Sequence, residues 1–397
     1  MKIDDKTSHN SPSLRFPEFT GEWERCVLGD VLEFSNTRIN SSELNSGNYV
    51  STENILQNFQ GIVKARSIPE DTNVMAFSCG NILLSNIRPY LKKVWKATFN
   101  GGCSSDVFVL QANSNIDADY LHYVVANDKF IGFVMNGAKG VKMPRGDKNQ
   151  MKTYSLSLPS IKEQRKISRF LSFLDERIAV QSRLIDRLQS LMIGLNNSLY
   201  EQYGNDITTS FMELGYSYSG LSGKSAKDFG SGKPFITYLN VYSNIIVDET
   251  DYQYVRINDG EKQNIVRTGD VLFTLSSETP EEVGIGSVYL GEKEVYLNSF
   301  CFGIHIERNQ LAYSPYLSYY VTSTAFRKFI YPFAQGSTRF NLCKADFEKA
   351  SIKLPSLDNQ KRISAMLDCI AEKIRAEKAI LEYYNIQRQY LLRQMFI

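Results

Sequence analysis

The first segment of this chain whose residue types suggest a binding site has cations interleaved with aromatic side chains. Four bases and no acid lie between Gly80 and Phe99, and Tyr90 and Trp95 stand among them. These bases are Arg88, Lys92, Lys93 and Lys96. Such a mixture is typical of strands that contact a phosphate backbone. The neighbouring Asn86 and Ser105 carry the amide and hydroxyl groups that bind base edges. A solvated basic hairpin is the alternative interpretation.

A second cationic segment is built around a glycine. Residues 138–145 read AKGVKMPR, and residues 334–341 read AQGSTRFN. The candidate contacts are Lys139, Lys142 and Arg145 in the first loop and Gln335, Thr338 and Arg339 in the second. Twelve bases stand against five acids from Lys139 to Arg187, in a chain whose net charge is only +2. Local clustering of this kind predicts a nucleic-acid surface on a nearly neutral protein. The loop could equally be a structural closure, and both interpretations can hold.

The second half of the chain differs from the first. The counterpart of the basic segment, Gly269 to Leu297, carries six acids and one lysine. We therefore do not expect it to lie along phosphates. Recognition in this half is predicted instead from Lys224, Lys227 and Lys233, ahead of a strand predicted at Phe235 to Asn240. Asn298 and the adjacent Ser299 complete the set.

Familiar catalytic patterns are absent from the sequence. Gly223-Lys224-Ser225 resembles the end of a phosphate loop, but Tyr218 stands where that loop requires glycine. No HExxH, GxSxG or GxGxxG occurs. Six single cysteines and three histidines do not give zinc spacing, so we expect no metal site and predict reduced, mostly buried thiols. Without an apolar run of about 18 residues or a signal peptide, the sequence predicts a cytoplasmic protein that does not enter the membrane.

The elements that position these residues occur twice. Leu158-Pro159-Ser160 with Gln164 recurs as Leu354-Pro355-Ser356 with Gln360, an offset of 196 residues, and earlier matches fall at offsets of 186 to 189. An offset that only grows indicates two copies of one domain with insertions. Each copy joins an α+β domain to a long helix. The predicted boundaries are 1–157 and 206–353 for the α+β domains and 158–205 and 354–397 for the helices.

Both helices carry an apolar heptad seam. The first seam is Ile167, Leu171, Leu174, Ile178, Gln181, Ile185, Leu188, Met192, Leu195 and Leu199. The second is Ile363, Leu367, Ile370, Ile374, Glu377, Leu381, Tyr384, Arg388, Leu391 and Met395. The matching seams predict that the two helices pair as an antiparallel coiled coil, a rod on the order of 60 Å. The alternative is that each helix packs on its own domain.

Several of these residues carry a resemblance to a known family. Leu14-Arg15-Phe16-Pro17-Glu18-Phe19, followed by Gly21, Glu22 and Trp23, resembles the start of the specificity subunits of Type I restriction–modification enzymes. The doubled Leu-Pro-Ser helix start resembles their central and C-terminal regions. The resemblance extends over essentially the whole chain.

This resemblance implies two target-recognition domains, each reading half of an interrupted site in double-stranded DNA. It also implies that the helices act as spacer and as docking site for two modification subunits. S-adenosylmethionine, ATP and Mg²⁺ would then belong to the modification and restriction subunits, and this chain would hold no cofactor and no catalytic residue. Two other classes stay open: an assembly scaffold without base readout, and a diverged methyltransferase or nuclease.

Overall fold

The computed structural model describes residues 11–140 and 142–397. Val141, in the first glycine loop, and the first ten residues lie outside this description. The chain divides into two compact units. The first unit is Met1–Ser182 with Ile380–Ile397, and the second is Arg183–Ala379. Each unit therefore contains one α+β domain, the start of one long helix and the end of the other.

The first unit is built on two four-stranded sheets. Its strands are β1 (Glu24–Val27), β2 (Leu32–Phe34), β3 (Arg38–Asn40), β4 (Tyr49–Val50), β5 (Asn73–Phe77), β6 (Ile82–Ser85), β7 (Val94–Lys96), β8 (Gly101–Cys103), β9 (Val107–Ala112) and β10 (Ser155–Leu158). Its helices are α1 (Leu28–Val31), α2 (Ala118–Val125), α3 (Asp128–Asn136), α4 (Lys148–Lys152) and the start of α5 (Ile161–Tyr203). The sheet orders are β2-β9-β6-β7 and β3-β5-β8-β4, and β1 pairs with β10.

The second unit repeats one four-stranded sheet of the first unit and part of the other. Its strands are β11 (Ile207–Thr209), β12 (Gly215–Ser219), β13 (Phe229–Ile236), β14 (Tyr252–Val255), β15 (Val271–Thr274), β16 (Ser276–Ser277), β17 (Gly286–Val288), β18 (Tyr296–Leu297), β19 (Cys301–Ile306), β20 (Ala334–Gly336), β21 (Phe340–Leu342) and β22 (Ile352–Leu354). Its helices are α6 (Phe211–Leu214), α7 (Tyr238–Ser243), α8 (Ser314–Tyr320), α9 (Thr324–Ile330), α10 (Lys344–Lys349) and the start of α11 (Leu357–Gln394). The order β12-β19-β15-β17 reproduces β2-β9-β6-β7, and the parallel pair β13–β18 reproduces β4–β8. The predicted α+β repeat is confirmed.

The long helices are antiparallel within each unit. In the first unit, Leu14 donates its N–H to the carbonyl of Gln394 at 3.0 Å, and Arg15 binds Glu163 at 2.7 Å. The end of α11 therefore lies beside the start of α5. In the second unit, Asp206 follows α5 and accepts from the N–H of Ser356, just before α11, at 2.9 Å.

The predicted heptad seams are buried or half-buried at every position. Ile167 and Leu171 of α5 join the core of the first unit, whereas Leu195 and Leu199 of the same helix pack against the core of the second. The alternative that each helix packs only on its own domain is therefore wrong.

A buried glutamine explains the repeated helix start. Gln164 accepts from the N–H of Asp117 at 2.8 Å and donates to the carbonyl of Pro159 at 2.9 Å. Gln360 makes the same two bonds, with Tyr313 and Pro355. Each glutamine thus ties the start of a long helix to the start of a domain helix, α2 or α8.

Some local predictions differ from the structure. The strand predicted at Phe235 to Asn240 ends at Ile236, and α7 follows. The thiols are not mostly buried: among the six free cysteines only Cys103 and Cys301 are.

Candidate nucleic-acid interface

Four segments meet at one edge of the first unit. They are residues 51–54 after β4, 86–88 after β6, 104–106 before β9, and the hairpin 138–146. The N–H of Ser104 donates to the carbonyl of Val50 at 3.0 Å, and that of Asn86 donates to Asp106 at 2.8 Å. Arg88 N–H donates to the carbonyl of Pro144 at 2.8 Å. We call this edge the four-segment surface of the first unit.

The second unit has the same edge, tied by equivalent backbone hydrogen bonds. Its segments are residues 237–240, 275–277, 298–300 and 334–342. Asn298 N–H donates to Ile236 at 3.0 Å, and Leu275 N–H donates to Phe300 at 2.9 Å. Leu342 N–H donates to Leu275 at 2.9 Å, as Gly146 does to Asn86 in the first unit. The structure therefore presents one surface twice, with different side chains.

The repeated glycine closes the hairpin of each surface. Lys139 and Arg145 exchange backbone hydrogen bonds of 3.0 and 2.9 Å around Gly140, which has φ +95°. In the second unit β20 pairs with β21 around Gly336, which has φ +145°. A Cβ at Gly336 would come within 2.1 Å of the Arg339 carbonyl oxygen. These positive φ angles favour glycine, which accounts for its presence in both hairpins.

Exposed cations gather on the four-segment surface of the first unit. Lys142 is exposed, and its ammonium group makes no hydrogen bond or ion pair within the described part of the chain. Lys139 pairs with Asp147 at 2.8 Å, which raises the pKa of the lysine and lowers that of the carboxyl. Arg145 pairs with Asp106 at 3.0 Å. The exposed Arg88 lies beside them in a left-handed conformation with φ +50°.

The other bases of the Gly80 to Phe99 segment already have protein partners. Lys92 forms an ion pair with Asp128 at 2.7 Å, and Lys93 Nζ donates to the Thr52 carbonyl at 2.6 Å. Lys96 pairs with Asp119. Lys92 also lines a groove of about 820 Å³ beside α5 and α11. To reach a phosphate, each of these lysines would first have to leave its partner.

Two aromatic side chains of the same segment, Trp95 and Phe99, lie in the protein core, whereas Tyr90 is exposed. Trp95 and Phe99 pack against Phe77 in a core cluster, with ring centroids 6.0 and 5.8 Å from it. Ser105 is exposed. The Oδ1 atom of Asn86 is buried and has no hydrogen-bond partner in the described part of the chain. That oxygen would have to move before it could contact a base.

The predicted cations of the second unit are dispersed. Only 6% of the Lys224 side chain is exposed, because it binds Glu261 and the carbonyl of Arg256. This ion pair lowers the pKa of Glu261 to about 2. Lys227 and Lys233 are exposed, but they precede the four segments, on a 3₁₀ turn and on β13. Asn298, Gln335, Thr338 and Arg339 do lie on the four-segment surface.

Sequence reasoning missed the apolar side chains of this second surface. Leu239 is 67% exposed and Phe300 is 57% exposed. Beside them, Tyr238 donates its hydroxyl to the Ser276 carbonyl at 2.8 Å and stacks on Tyr242. The repeat offset of 186 residues aligns Leu239 with Glu53. Phe300 corresponds to Asp106 because their carbonyls accept equivalent hydrogen bonds, from Leu275 and from Asn86. The sequence therefore carried a signal for Leu239 only, and charge patterns do not identify apolar residues.

The long helices carry a separate apolar surface. In the first unit a groove of about 690 Å³ lies between α5 and α11. Its lining includes Phe170, Phe173, Val180, Tyr384 and Leu391. Phe170 is exposed, and so is Met366, which stands 196 residues later at the equivalent place of α11 in the second unit.

Within ranges 11–140 and 142–397, no group of three or more His, Cys, Asp or Glu side chains is arranged to hold a metal ion. No helix of those ranges combines the length and the apolar character needed to cross a membrane.

Comparison with known families gives one clear match. A family model described as the Type I restriction modification DNA specificity domain matches residues 20–190 and again residues 221–383. Each match covers most of one repeat, and together they cover most of the chain.

Curated relatives match over shorter stretches. The specificity subunit of the Type I restriction enzyme EcoDI from Escherichia coli is 33% identical over 93 residues, 23% of this chain and 20% of that protein. The StySPI specificity subunit from Salmonella potsdam is 27% identical over 150 residues, 38% of this chain and 32% of that protein. The aligned part thus spans about a fifth to a third of the length of these relatives.

Solved structures share the fold over nearly the whole chain. A Type I restriction–modification system S subunit from M. genitalium matches with a TM-score of 0.57 at 15% identity, over 98% of this chain and 99% of that one. A chain from a study of complex assembly and conformational transition of the type I R-M system also gives 0.57, at 20% identity, over 93% and 96%.

Proposed function

The chain belongs to the Type I restriction modification DNA specificity family, and from this membership and the duplicated surface we propose that it is the DNA-binding specificity subunit of a Type I restriction–modification complex. Each unit reads one half of a bipartite site in double-stranded DNA. The observation that carries the proposal is that the same four segments, held by equivalent hydrogen bonds, occur once per unit with different exposed side chains. A common backbone with variable side chains suits the reading of two different half-sites.

The first unit contributes most of the contacts with the DNA backbone. Arg88, Lys139, Lys142 and Arg145 lie on neighbouring segments of one edge, so their charges act together on one stretch of phosphates. Lys139 and Arg145 form ion pairs with carboxylates. Within the described part of the chain, Lys142 has no such ion pair to break before it binds a phosphate. Phosphate contacts of this kind fix the protein on the duplex, and the side chains around them read the bases.

The proposal assigns the chemistry to partner subunits. The exposed apolar residues of α5 and α11, including Phe170 and Met366, serve as docking sites for two modification subunits, which carry S-adenosylmethionine. Restriction subunits supply the ATP- and Mg²⁺-dependent steps. In this assignment the chain itself is non-catalytic and acts in the cytoplasm, on DNA and with these subunits.

Methylation mapping tests the proposal. The chain is expressed with its modification subunits in a host, and the host genome is sequenced for methylated bases. We expect a bipartite motif, and we expect exchange of residues 24–157 for those of a relative to change one half of that motif only. Methylation without a sequence preference would instead support an assembly scaffold. Methyl transfer by the purified chain with S-adenosylmethionine alone would contradict the non-catalytic assignment.

A further inference from the structure

The two four-segment surfaces differ in the chemistry that they offer to DNA. On the second surface the sole cation of the four segments is Arg339, within residues that the structure describes throughout. The carboxylate of Glu282 accepts a hydrogen bond from Ser277 on this surface and stays negative, because its partners lower its pKa. A surface with one cation and a nearby carboxylate is poorly suited to bind phosphates.

The second surface instead holds two exposed apolar side chains in place. The Oδ1 atom of Asn298 accepts from the N–H of Phe300 at 2.9 Å, and the carbonyl of Phe300 accepts from Leu275. Leu239 lies in the first turn of α7, which Thr237 caps by accepting from the N–H of Asn240. Both side chains therefore project from backbone that is already fixed, and their binding does not require the backbone to be ordered.

We propose, on the basis of the proposed function, that the second unit reads A·T base pairs, and that Leu239 and Phe300 contact thymine 5-methyl groups in the major groove. The thymine methyl is the apolar group that a base edge offers there, and side chains such as Phe contact it. Gln335 and Asn341 on the same surface carry amides, which pair with adenine through N6 and N7. Apolar and amide side chains together favour A·T over G·C.

The equivalent positions of the first unit support this difference. Glu53 and Asp106 stand where Leu239 and Phe300 stand in the second unit, and Asp106 is held by Arg145. Carboxylates cannot make an apolar contact with a methyl group. The apolar contact is therefore specific to the second unit, and the first half-site serves as an internal control.

Replacing thymine with deoxyuridine removes only the 5-methyl group and tests the contact directly. The full chain, purified with its modification subunits, is titrated with duplexes that carry the mapped motif. For each contacted thymine of the second half-site we expect Kd to rise about four-fold, the effect of one buried methyl group. The Leu239→Ala/Phe300→Ala variant should bind both duplexes equally. Deoxyuridine in the first half-site should change the Kd of the protein and the Kd of the variant by the same factor.

Met212→Ala is the matched control. Met212 is 51% exposed on α6, at the end of the β12–β19 pair opposite Phe300, so its loss should not alter the response to deoxyuridine. Thermal unfolding of each variant checks that it is folded, since exposed side chains add little to stability.

Three outcomes overturn the inference. The first is a half-site for the second unit that contains no A·T pair. The second is an unchanged affinity for the deoxyuridine duplex. The third is the same response in protein and double variant. Failure of the proposed function has a different result, because the complex would then lack any sequence preference on unmodified DNA.

Discussion

Lys142→Ala should reduce the salt dependence of DNA binding by about 0.9 in the slope of log K against log salt. Each phosphate contact releases condensed counterions from the duplex, and the contact proposed for Lys142 would do so without the loss of a protein partner. Between 50 and 200 mM salt, a four-fold change, this slope corresponds to a factor of about 3.5 in affinity. The variant should therefore be weaker at low salt, and the difference should shrink as salt increases.

The neighbouring cations give smaller changes in slope. Lys139 must leave Asp147, and Arg145 must leave Asp106, before either can bind a phosphate. We expect Lys139→Ala and Arg145→Ala each to change the slope by less than Lys142→Ala does. Lys96→Ala is the control, because Lys96 lies outside the four segments and already binds Asp119.

Fluorescence anisotropy of a labelled duplex at five or more salt concentrations gives these slopes. Methylation mapping of the same variants checks that the recognised motif is unchanged, as expected for a contact to phosphates. An unaltered slope for Lys142→Ala, or a motif that changes while the slope does not, would refute the assignment of Lys142 to the DNA backbone.

Three further predictions concern the scaffold. Gln360→Leu removes hydrogen bonds to Tyr313, Leu311 and Pro355, and calorimetry should show the second unit destabilised by about 2–3 kcal/mol. Gln387→Leu is the control and should be nearly neutral, because Gln387 is exposed. Glu163→Ala leaves Arg15 without its carboxylate and should lower the free energy of unfolding in urea by about 3–5 kcal/mol. The double variant Arg15→Met/Glu163→Ala should lose less stability than Glu163→Ala alone; an equal or larger loss would contradict the ion-pair explanation. Burial lowers the pKa of His122 to about 4. Between pH 6.5 and 4 the unfolded chain therefore binds more protons than the folded chain. The free energy of unfolding should fall by up to about 3 kcal/mol as the pH drops through that window. His122→Gln should remove this pH dependence, and an identical profile would show that other groups cause it.

The repeat and the helices could be predicted from sequence because both depend on spacing. The growing offset aligned Gly140 with Gly336 and Gln164 with Gln360, and the structure gives the members of each pair the same role. The heptad seams were found because burial on a helix has a fixed period. Even Glu377, a charged residue in the second seam, is buried.

The candidate site was less predictable because exposure and pairing depend on distant residues. Lys224 is 32 and 37 residues from its partners Arg256 and Glu261, and Lys92 is 36 residues from Asp128. Counting charges along the chain cannot show which cations are already paired. Trp95 was a plausible stacking residue by type, yet β7 is covered on both faces, and Trp95 lies in a core cluster.

The comparison of the two units explains how one fold would serve the two half-sites of the proposed function. The hydrogen bonds that assemble the four segments are made by backbone atoms, at Asn86 and Leu275 or at Ser104 and Asn298, and so they do not depend on side-chain identity. Asp106 can therefore correspond to Phe300, and Lys142 to Thr338, without a change in the scaffold. Where the backbone does set a requirement, at Gly140 and Gly336, both copies keep glycine. Residues that are identical between the copies thus mark the scaffold, and residues that differ on the four-segment surface are the ones to substitute when the recognised sequence is to be changed.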